Sequence, residues 1–330
     1  MKKMKKLIVS LLIVTSANQL FSQLGGTLDP SFATAGKLVL SINPGSNKAY
    51  GIAQLSNGSF LVAGTTYSSI YGNDFFCIKV DANGALVNSF GNGGKVTTDV
   101  QLGSQDIAYS IALDDATGKF ILAGTSDNGT KQSAALIRYL ANGQIDSSFG
   151  VNGKVLTNFT APNTNKEEIR KIKIHYLTGK IIAAGRTIIS TTSQLPVIAR
   201  YHSNGSLDTS FNHTGKVVPN NYTNKEYELR DLSVNSAGII TAVGKGYHYY
   251  TNSGSIYSGV GGFATRINSN GTLDPSFDGD GKLECHYMTE NNAMYIDPNT
   301  NYIYNTGNFN TIFYAKTLLF SDITNIYCSI

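Results

Sequence analysis

The sequence predicts an all-β protein, a β-propeller assembled from about five four-stranded repeats of roughly 60 residues. Three observations predict it. A segment close to G-x-L-D-x-S-F-x-x-x-G-K recurs along the whole chain, further apolar runs fall in register between its copies, and Asn-Gly turns bound those runs without a sustained helical period.

The recurrent segment occupies residues 26–37, 84–95, 143–154, 205–216 and 271–282. Its phenylalanines, Phe32, Phe90, Phe149, Phe211 and Phe277, are 58, 59, 62 and 66 residues apart. A residue present in every copy is expected to hold its unit together rather than to perform chemistry needed once. The Ser-Phe pair is read as a core anchor, with the serine satisfying the turn backbone. Gly36, Gly94, Gly153, Gly215 and Gly281 are expected at positive φ.

Between copies come three apolar runs. The first covers 49–55, 108–113, 169–174, 229–234 and, faintly, 292–296; the second ends in a glycine, at Gly64, Gly124, Gly185, Gly244 and Gly307. The third ends in a cation, at Lys79, Arg138, Arg200, Arg266 and Lys316, and a short fourth run follows each Gly-Lys. Rich in β-branched and aromatic residues and bounded by turns such as Asn83-Gly84 and Asn142-Gly143, they read as four strands per repeat. A β-solenoid is the alternative, although its coils are usually shorter. The chain opens with a segment and its strand but no preceding triplet of strands, and closes with a triplet and no convincing segment. The count balances if the strand at 37–40 completes the last blade beside the run at 313–319, closing the ring; a piece of a longer array is the other outcome.

An arginine stands eight positions before the segment aspartate in three copies: Arg138 and Asp146, Arg200 and Asp208, Arg266 and Asp274. Where Val87 or Thr324 replaces the aspartate, the cation is Lys79 or Lys316. Because arginine suits a two-point carboxylate contact and lysine acts as a point charge, an Arg–Asp pair is expected to tie the third strand to the turn.

Residues 1–22 read as a secretory signal peptide, with a basic start, an apolar stretch at 7–14 broken only by Ser10, and cleavage before Gln23. The propeller then occupies 23–330, and no later apolar run is long enough to span a bilayer. The formal net charge of +4 belongs to the four lysines of that leader, and the rest balances at 22 basic and 22 acidic residues. Neither nucleic acid nor an anionic membrane is implied as a partner. Cys77, Cys285 and Cys328 allow at most one internal disulfide.

No segment matches a zinc-protease, nucleophile-elbow or phosphate-loop motif, and the repeated Gly-Lys is followed by Leu or Val. The five histidines have no metal-ligand spacing and read as surface or turn residues. Asp278-Gly-Asp280 reads as a local turn. No catalytic, cofactor-binding or metal-binding residue is therefore assigned. The most distinctive unrepeated feature lies between Gly244 and Arg266, 22 positions against 14 or 15 in the first three repeats. Tyr247, Tyr249, Tyr250 and Tyr257 fall there, with His248, among Gly and Ser, and form a candidate ligand-contact loop. The competing reading is a solvated loop whose tyrosines cover the blade.

The recurrent segment resembles the delta-sixty repeat family of secreted bacterial proteins, regarded as propeller-type β repeats. The resemblance covers nearly all of 23–330 and is sharpest at 205–216 and 271–282. It implies architecture and export to the medium or cell surface, and no activity. The expectation is a monomeric, non-catalytic binding or scaffolding module for a protein or glycan partner. The alternative is a propeller enzyme, a glycosidase or lyase, with carboxylates gathered at the central channel; Asp74, Asp106, Glu167, Glu168, Glu226 and Glu228 are unrepeated acids, and no spacing places them together.

Overall fold

A computed structural model of the chain describes residues 28–69, 72–159, 166–219, 225–252, 255–285, 290–296 and 303–308. They form four blades and part of a fifth, each an antiparallel sheet whose strands lie in chain order. Blade 1 is β1 (Asn47–Gln54), β2 (Phe60–Ser68), β3 (Gly72–Val80) and β4 (Lys95–Thr98); blade 2 is β5 (Gln105–Leu113), β6 (Phe120–Asp127), β7 (Gln132–Tyr139) and β8 (Lys154–Thr157). Blade 3 is β9 (Lys166–Ile174), β10 (Ile181–Ser190), β11 (Ser193–Tyr201) and β12 (Lys216–Val217); blade 4 is β13 (Glu228–Val234), β14 (Ile240–Asn252), β15 (Ser255–Ile267) and β16 (Lys282–Cys285). Of the fifth, β17 (Glu290–Ile296) pairs with β18 (Ile303–Asn308). The all-β propeller expectation holds.

Blades stack face to face through their apolar runs. Leu61, Ala63, Phe75 and Cys77 of blade 1 pack on Phe120, Leu122, Ile137 and Tyr139 of blade 2. Ile121, Ala123 and Leu136 then meet Ile169, Ile181 and Val197, and Ile182 and Ile198 meet Leu229, Ile240 and Phe263. Alternating residues of each central strand thus face opposite neighbours, so the central strands of blades 2 and 3 have no wet face and read as continuously apolar. Cys77 is a free buried thiol. First strands contact one another in series, β1 to β5 to β9 to β13 to β17, and line the axis.

The aspartate, serine and phenylalanine of the recurrent segment converge on one arginine. The Asp146 Oδ1 accepts from the Ser148 backbone N–H (3.2 Å) and hydroxyl (2.6 Å), closing the turn. Its Oδ2 takes Arg138 Nε at 2.9 Å, and Arg138 Nη2 reaches the Ser148 hydroxyl at 3.1 Å. The same guanidinium lies 4.7 Å from the Phe149 ring centre, a cation–π contact. Arg200 repeats this with Asp208, Ser210 and Phe211, and Arg266 with Asp274, Ser276 and Phe277. The expected pairs are present, but the fork does not close on the carboxylate alone. Its remaining arm donates to a carbonyl of the next blade, Arg138 to Ser203 and Arg200 to Ser269. The aspartate, rather than the serine, satisfies the turn backbone.

Two further bonds tie each segment to its neighbours. Gly91 N–H donates to the Asn142 carbonyl, and Gly150 N–H to that of Asn204, each at 2.8 Å. The Asn-Gly turn must come this close, and a Cβ at Gly205 would sit 2.9 Å from the Phe149 ring. The segment lysine reaches back instead: Lys154 Nζ binds the Asp99 and Val100 carbonyls at 2.9 Å, and Lys216 Nζ the Asn158 carbonyl at 3.0 Å. The final glycines sit at φ between 77° and 86°, as expected.

The N-terminal segment occupies the place of a preceding blade. Ala33 N–H donates to the Asn83 carbonyl, Lys95 Nζ to that of Ser41, and Leu38, Leu40 and Ile42 cover Phe76, Ile78 and Val80. A cavity of about 670 Å³ remains beside them, lined by Phe32, Phe60 and Val62. Residues 37–40 join no sheet ladder among the described residues. Their expected partner, the run at 313–319, lies outside the described residues, as do 1–22.

The repeated strand glycine answers a β-bulge. In blades 1 to 4 the first strand shifts register opposite it, between Ala49 and Gly51, Ala108 and Ser110, Ile169 and Lys171, and Leu229 and Asp231. The bulge drives a first-strand carbonyl toward the glycine: Lys48 at Gly64, Ile107 at Gly124, Glu168 at Gly185 and Glu228 at Gly244. A Cβ there would collide with backbone, which has no rotamer to escape through.

Gly185→Ala is accordingly expected to cost at least about 2 kcal/mol, read as a lowered denaturation midpoint. Asp146→Asn strands Arg138 and Lys119, which bind one carboxylate oxygen at 2.9 Å each, and should cost about 2–4 kcal/mol. Asp115→Asn, in an exposed turn, should leave the melting temperature unchanged; equal effects would remove the pair from the stability account. Burial opposes the charge of Asp146, Asp208 and Asp274, yet their serine and Lys/Arg partners hold all three carboxyls below the ordinary range. The unfolded carboxyls take protons near pH ~4 while the folded ones still resist, so this stability is present above pH ~4 and lost on further acidification. Acid melts of the wild type and Asp146→Asn should converge there.

Candidate functional site in the central channel

The bulges decide what faces the axis. The unmatched residue in each first strand is Tyr50, Tyr109, Arg170 or Arg230, with Asn292 at the same register in β17. Successive bulge residues touch across blade boundaries. The Tyr50 and Tyr109 rings are 5.3 Å apart at 62°, and the Arg170 guanidinium lies 4.2 Å from the Tyr109 ring centre. Tyr50 is 45% exposed, so this belt is open to solvent at its blade 1 end.

Behind the belt lies an ionic layer. Glu168 Oε2 takes Arg170 at 2.7 Å and Arg186 at 2.9 Å, and Arg186 bridges on to Glu228 at 2.6 Å. Arg230 completes the layer against Glu228. Gln132 donates to Glu168 at 3.1 Å and Gln194 accepts from Arg186 at 2.7 Å. Burial at 2% exposure opposes the Glu228 charge, but Arg186, Arg230 and Arg170 outweigh it and hold the carboxyl below its ordinary range. Among the described residues, three guanidiniums thus meet two carboxylates in this layer. Lys171 and Asp231 pair one step further along at 3.0 Å.

The structure brings some acids together and separates others. Glu168 and Glu228 share Arg186. Glu226 pairs with Lys245 at 3.3 Å, away from them. Asp74 and Asp106 meet at the boundary of blades 1 and 2, joined by Asp99, each offering an oxygen within 4.8 Å of the others. The cavity beside Leu38 and Leu40 is lined by none of these acids.

The segment carrying the four candidate tyrosines is strand rather than loop. The β14–β15 ladder continues unbroken from Ile240 opposite Ile267 to Asn252 opposite Ser255. Tyr247 faces Val260, Tyr249 faces Ser258 and Tyr250 faces Tyr257 across it. Gly and Ser keep every backbone donor and acceptor, and the interleaved tyrosines favour strand. The Tyr247 carbonyl accepts from the Tyr227 hydroxyl at 2.7 Å, which anchors the base of the extension. By topology its tip shares the end of the ring with the starts of the first strands.

Of the histidines, His175 is buried, within a turn, its Nδ1 2.7 Å from the Thr178 hydroxyl; this corrects the surface reading but not the turn. Asp280 Oδ1 accepts from the Lys282 N–H at 2.9 Å, the local turn expected. Of the channel residues, Glu168 and Glu228 stood among the acids named from the sequence, whereas the bulge residues Tyr50, Tyr109, Arg170 and Arg230 escaped it. The signal available was a large polar or aromatic residue at one fixed register in every first run.

A family model described as a domain of unknown function (DUF5122) beta-propeller matches residues 116–149, 178–211 and 253–277. No curated protein matches the chain. Among solved structures, a mannose phosphorylase (MPT-4) from Leishmania mexicana aligns at 10% identity and TM-score 0.39, covering 78% of this chain and 79% of its own. Hydrazine synthase of Kuenenia stuttgartiensis aligns at 12% and 0.42, over 83% and 76%. The PQQ-bound aldose sugar dehydrogenase of Streptomyces coelicolor aligns at 13% and 0.41, over 82% and 77%. Overlaps at this level say nothing of chemistry. The stretches matched by the family model and the four described four-stranded sheets agree in one conclusion: the chain is a propeller-type repeat protein.

Proposed function

We propose that the chain is a secreted, non-catalytic propeller of the delta-sixty type, which binds a protein or glycan partner at the channel mouth and the β14–β15 extension. The observation that carries this reading is the channel's ionic layer. Both carboxylates are engaged by arginines, so neither is free to meet a sugar as a glycosidase acid must. The belt in front of them offers tyrosine faces beside the Arg170 guanidinium, which suits a ligand bearing carboxylate or sulfate beside a flat apolar surface. Tyr247, Tyr249, Tyr250 and Tyr257 lie on the extension at the same end and would widen that contact.

The enzyme reading needs two acids open to substrate. Asp74 and Asp106 do meet, but at 6% and 0% exposure they are closed to a sugar ring. Export follows from the leader alone, and a mature N-terminus at Gln23 in secreted material is the expected result of sequencing it.

The test is a glycan array with the purified mature chain, run beside a panel of aryl glycosides. Expected are retention on acidic glycans, a loss of about tenfold or more in Arg170→Ala and Tyr109→Ala, and no hydrolysis. Turnover abolished by Glu168→Gln or Glu228→Gln would establish the enzyme instead.

A further inference from the structure

Asp74 is the third residue of β3, Asp99 follows β4 and Asp106 is the second residue of β5. Thr98 pairs with Phe75, so Asp99 emerges across from Asp74, while Asp106 comes from the next blade. One oxygen of each lies within 4.8 Å of the others. Two oxygens bound to one calcium ion at about 2.3–2.6 Å are separated by at most about 5 Å, so the three acids are spaced to share one.

Their surroundings supply donors unevenly. Asp106 accepts from Val100 N–H at 2.6 Å and from the Ser104 hydroxyl at 2.5 Å. Asp99 accepts from Gly103 N–H at 2.8 Å and from Ser104 at 3.3 Å. Asp74 is 6% exposed, and its Oδ1 has no hydrogen-bond donor. Among the described residues no cation pairs with any of the three. Lys154 binds the backbone carbonyls of Asp99 and Val100 rather than a carboxylate. A buried carboxylate without donor or counter-charge is costly to keep, and burial together with the Asp99 charge pushes Asp74 up and Asp106 up to about 6.

The repeat sharpens the point. At the boundary of blades 2 and 3 the same registers hold Ser133, Asn158 and Glu167. Two neutral residues stand where blades 1 and 2 have two acids, so fold maintenance does not require the triad. We propose that Asp74, Asp99 and Asp106 form a calcium site that clips blade 1 to blade 2. The donor set is oxygen only, without imidazole or thiolate, which selects a hard cation. Its members come from two strands and an irregular loop, a geometry calcium tolerates better than the strict octahedron of magnesium.

The test is thermal melting of the mature chain at pH ~7.5 in chelator, in about 10 mM calcium and in about 10 mM magnesium, with calorimetric titration of calcium into the wild type. With an affinity on the order of 10⁻⁴–10⁻³ M, calcium should raise the melting temperature by about 3–5 °C. Asp74→Asn should melt higher than wild type in chelator, through relief of like-charge repulsion, and should lose the calcium response. Asp115→Asn should keep it. A flat calorimetric titration, a larger rise with magnesium, or an equal calcium rise in Asp74→Asn would overturn the site.

Discussion

The guanidinium at the end of the third strand is the contact on which the propeller depends. Arg138 meets a carboxylate, a hydroxyl, an aromatic face and a carbonyl of the next blade with one planar group. No neutral side chain serves all four, and a lysine cannot fork. Because one arm crosses to the following turn, closing the local turn and seating the next blade are a single event. Blade 1 shows what the lesser version looks like. Lys79 lies 5.9 Å from the Phe90 ring centre, Val87 stands where the aspartate would be, and the Gly91 to Asn142 backbone bond still joins the neighbouring blade.

Much of this was legible because it is local. A spacing of eight residues between arginine and aspartate spans one strand end and one turn, and the positive φ of Gly153 or Gly215 follows from the turn itself. What failed was whatever crosses a blade boundary. The fork's third partner is Ser203 or Ser269, more than sixty residues away, and no spacing rule reaches it. The channel was hidden for another reason. Alternation with period two assigns faces along a strand, and a bulge breaks that count at the residues that matter, Tyr50, Tyr109, Arg170 and Arg230. The 244–266 insertion misled through composition, since Gly and Ser suggest a loop while their backbone pairs as well as any other in the β14–β15 ladder.

The strand glycine links fold to site. By admitting a carbonyl of the inner strand it fixes the bulge, and the bulge turns one side chain per blade toward the axis. The backbone geometry is therefore carried by a residue with no side chain, and the residue it exposes is released from packing. That explains why the glycine is the same in every repeat while its bulge partner is tyrosine in two blades and arginine in two others.

The same logic separates the two regions where this chain departs from its own repeat. At the bulge register the substitutions are half-buried and balanced locally, Arg170 against Glu168 and Arg230 against Glu228, so they alter what the channel presents without charging the core. At the boundary of blades 1 and 2 the substitutions are buried and unbalanced. Three carboxylates converge where the next boundary carries a serine, an asparagine and one acid, and no described cation answers them. A repeat scaffold can absorb locally balanced variation at little cost. Buried like charge is tolerated only if something outside the repeat compensates it, and an oxygen-seeking cation is the species that three converging aspartates, one of them with an oxygen that has no donor, are built to hold.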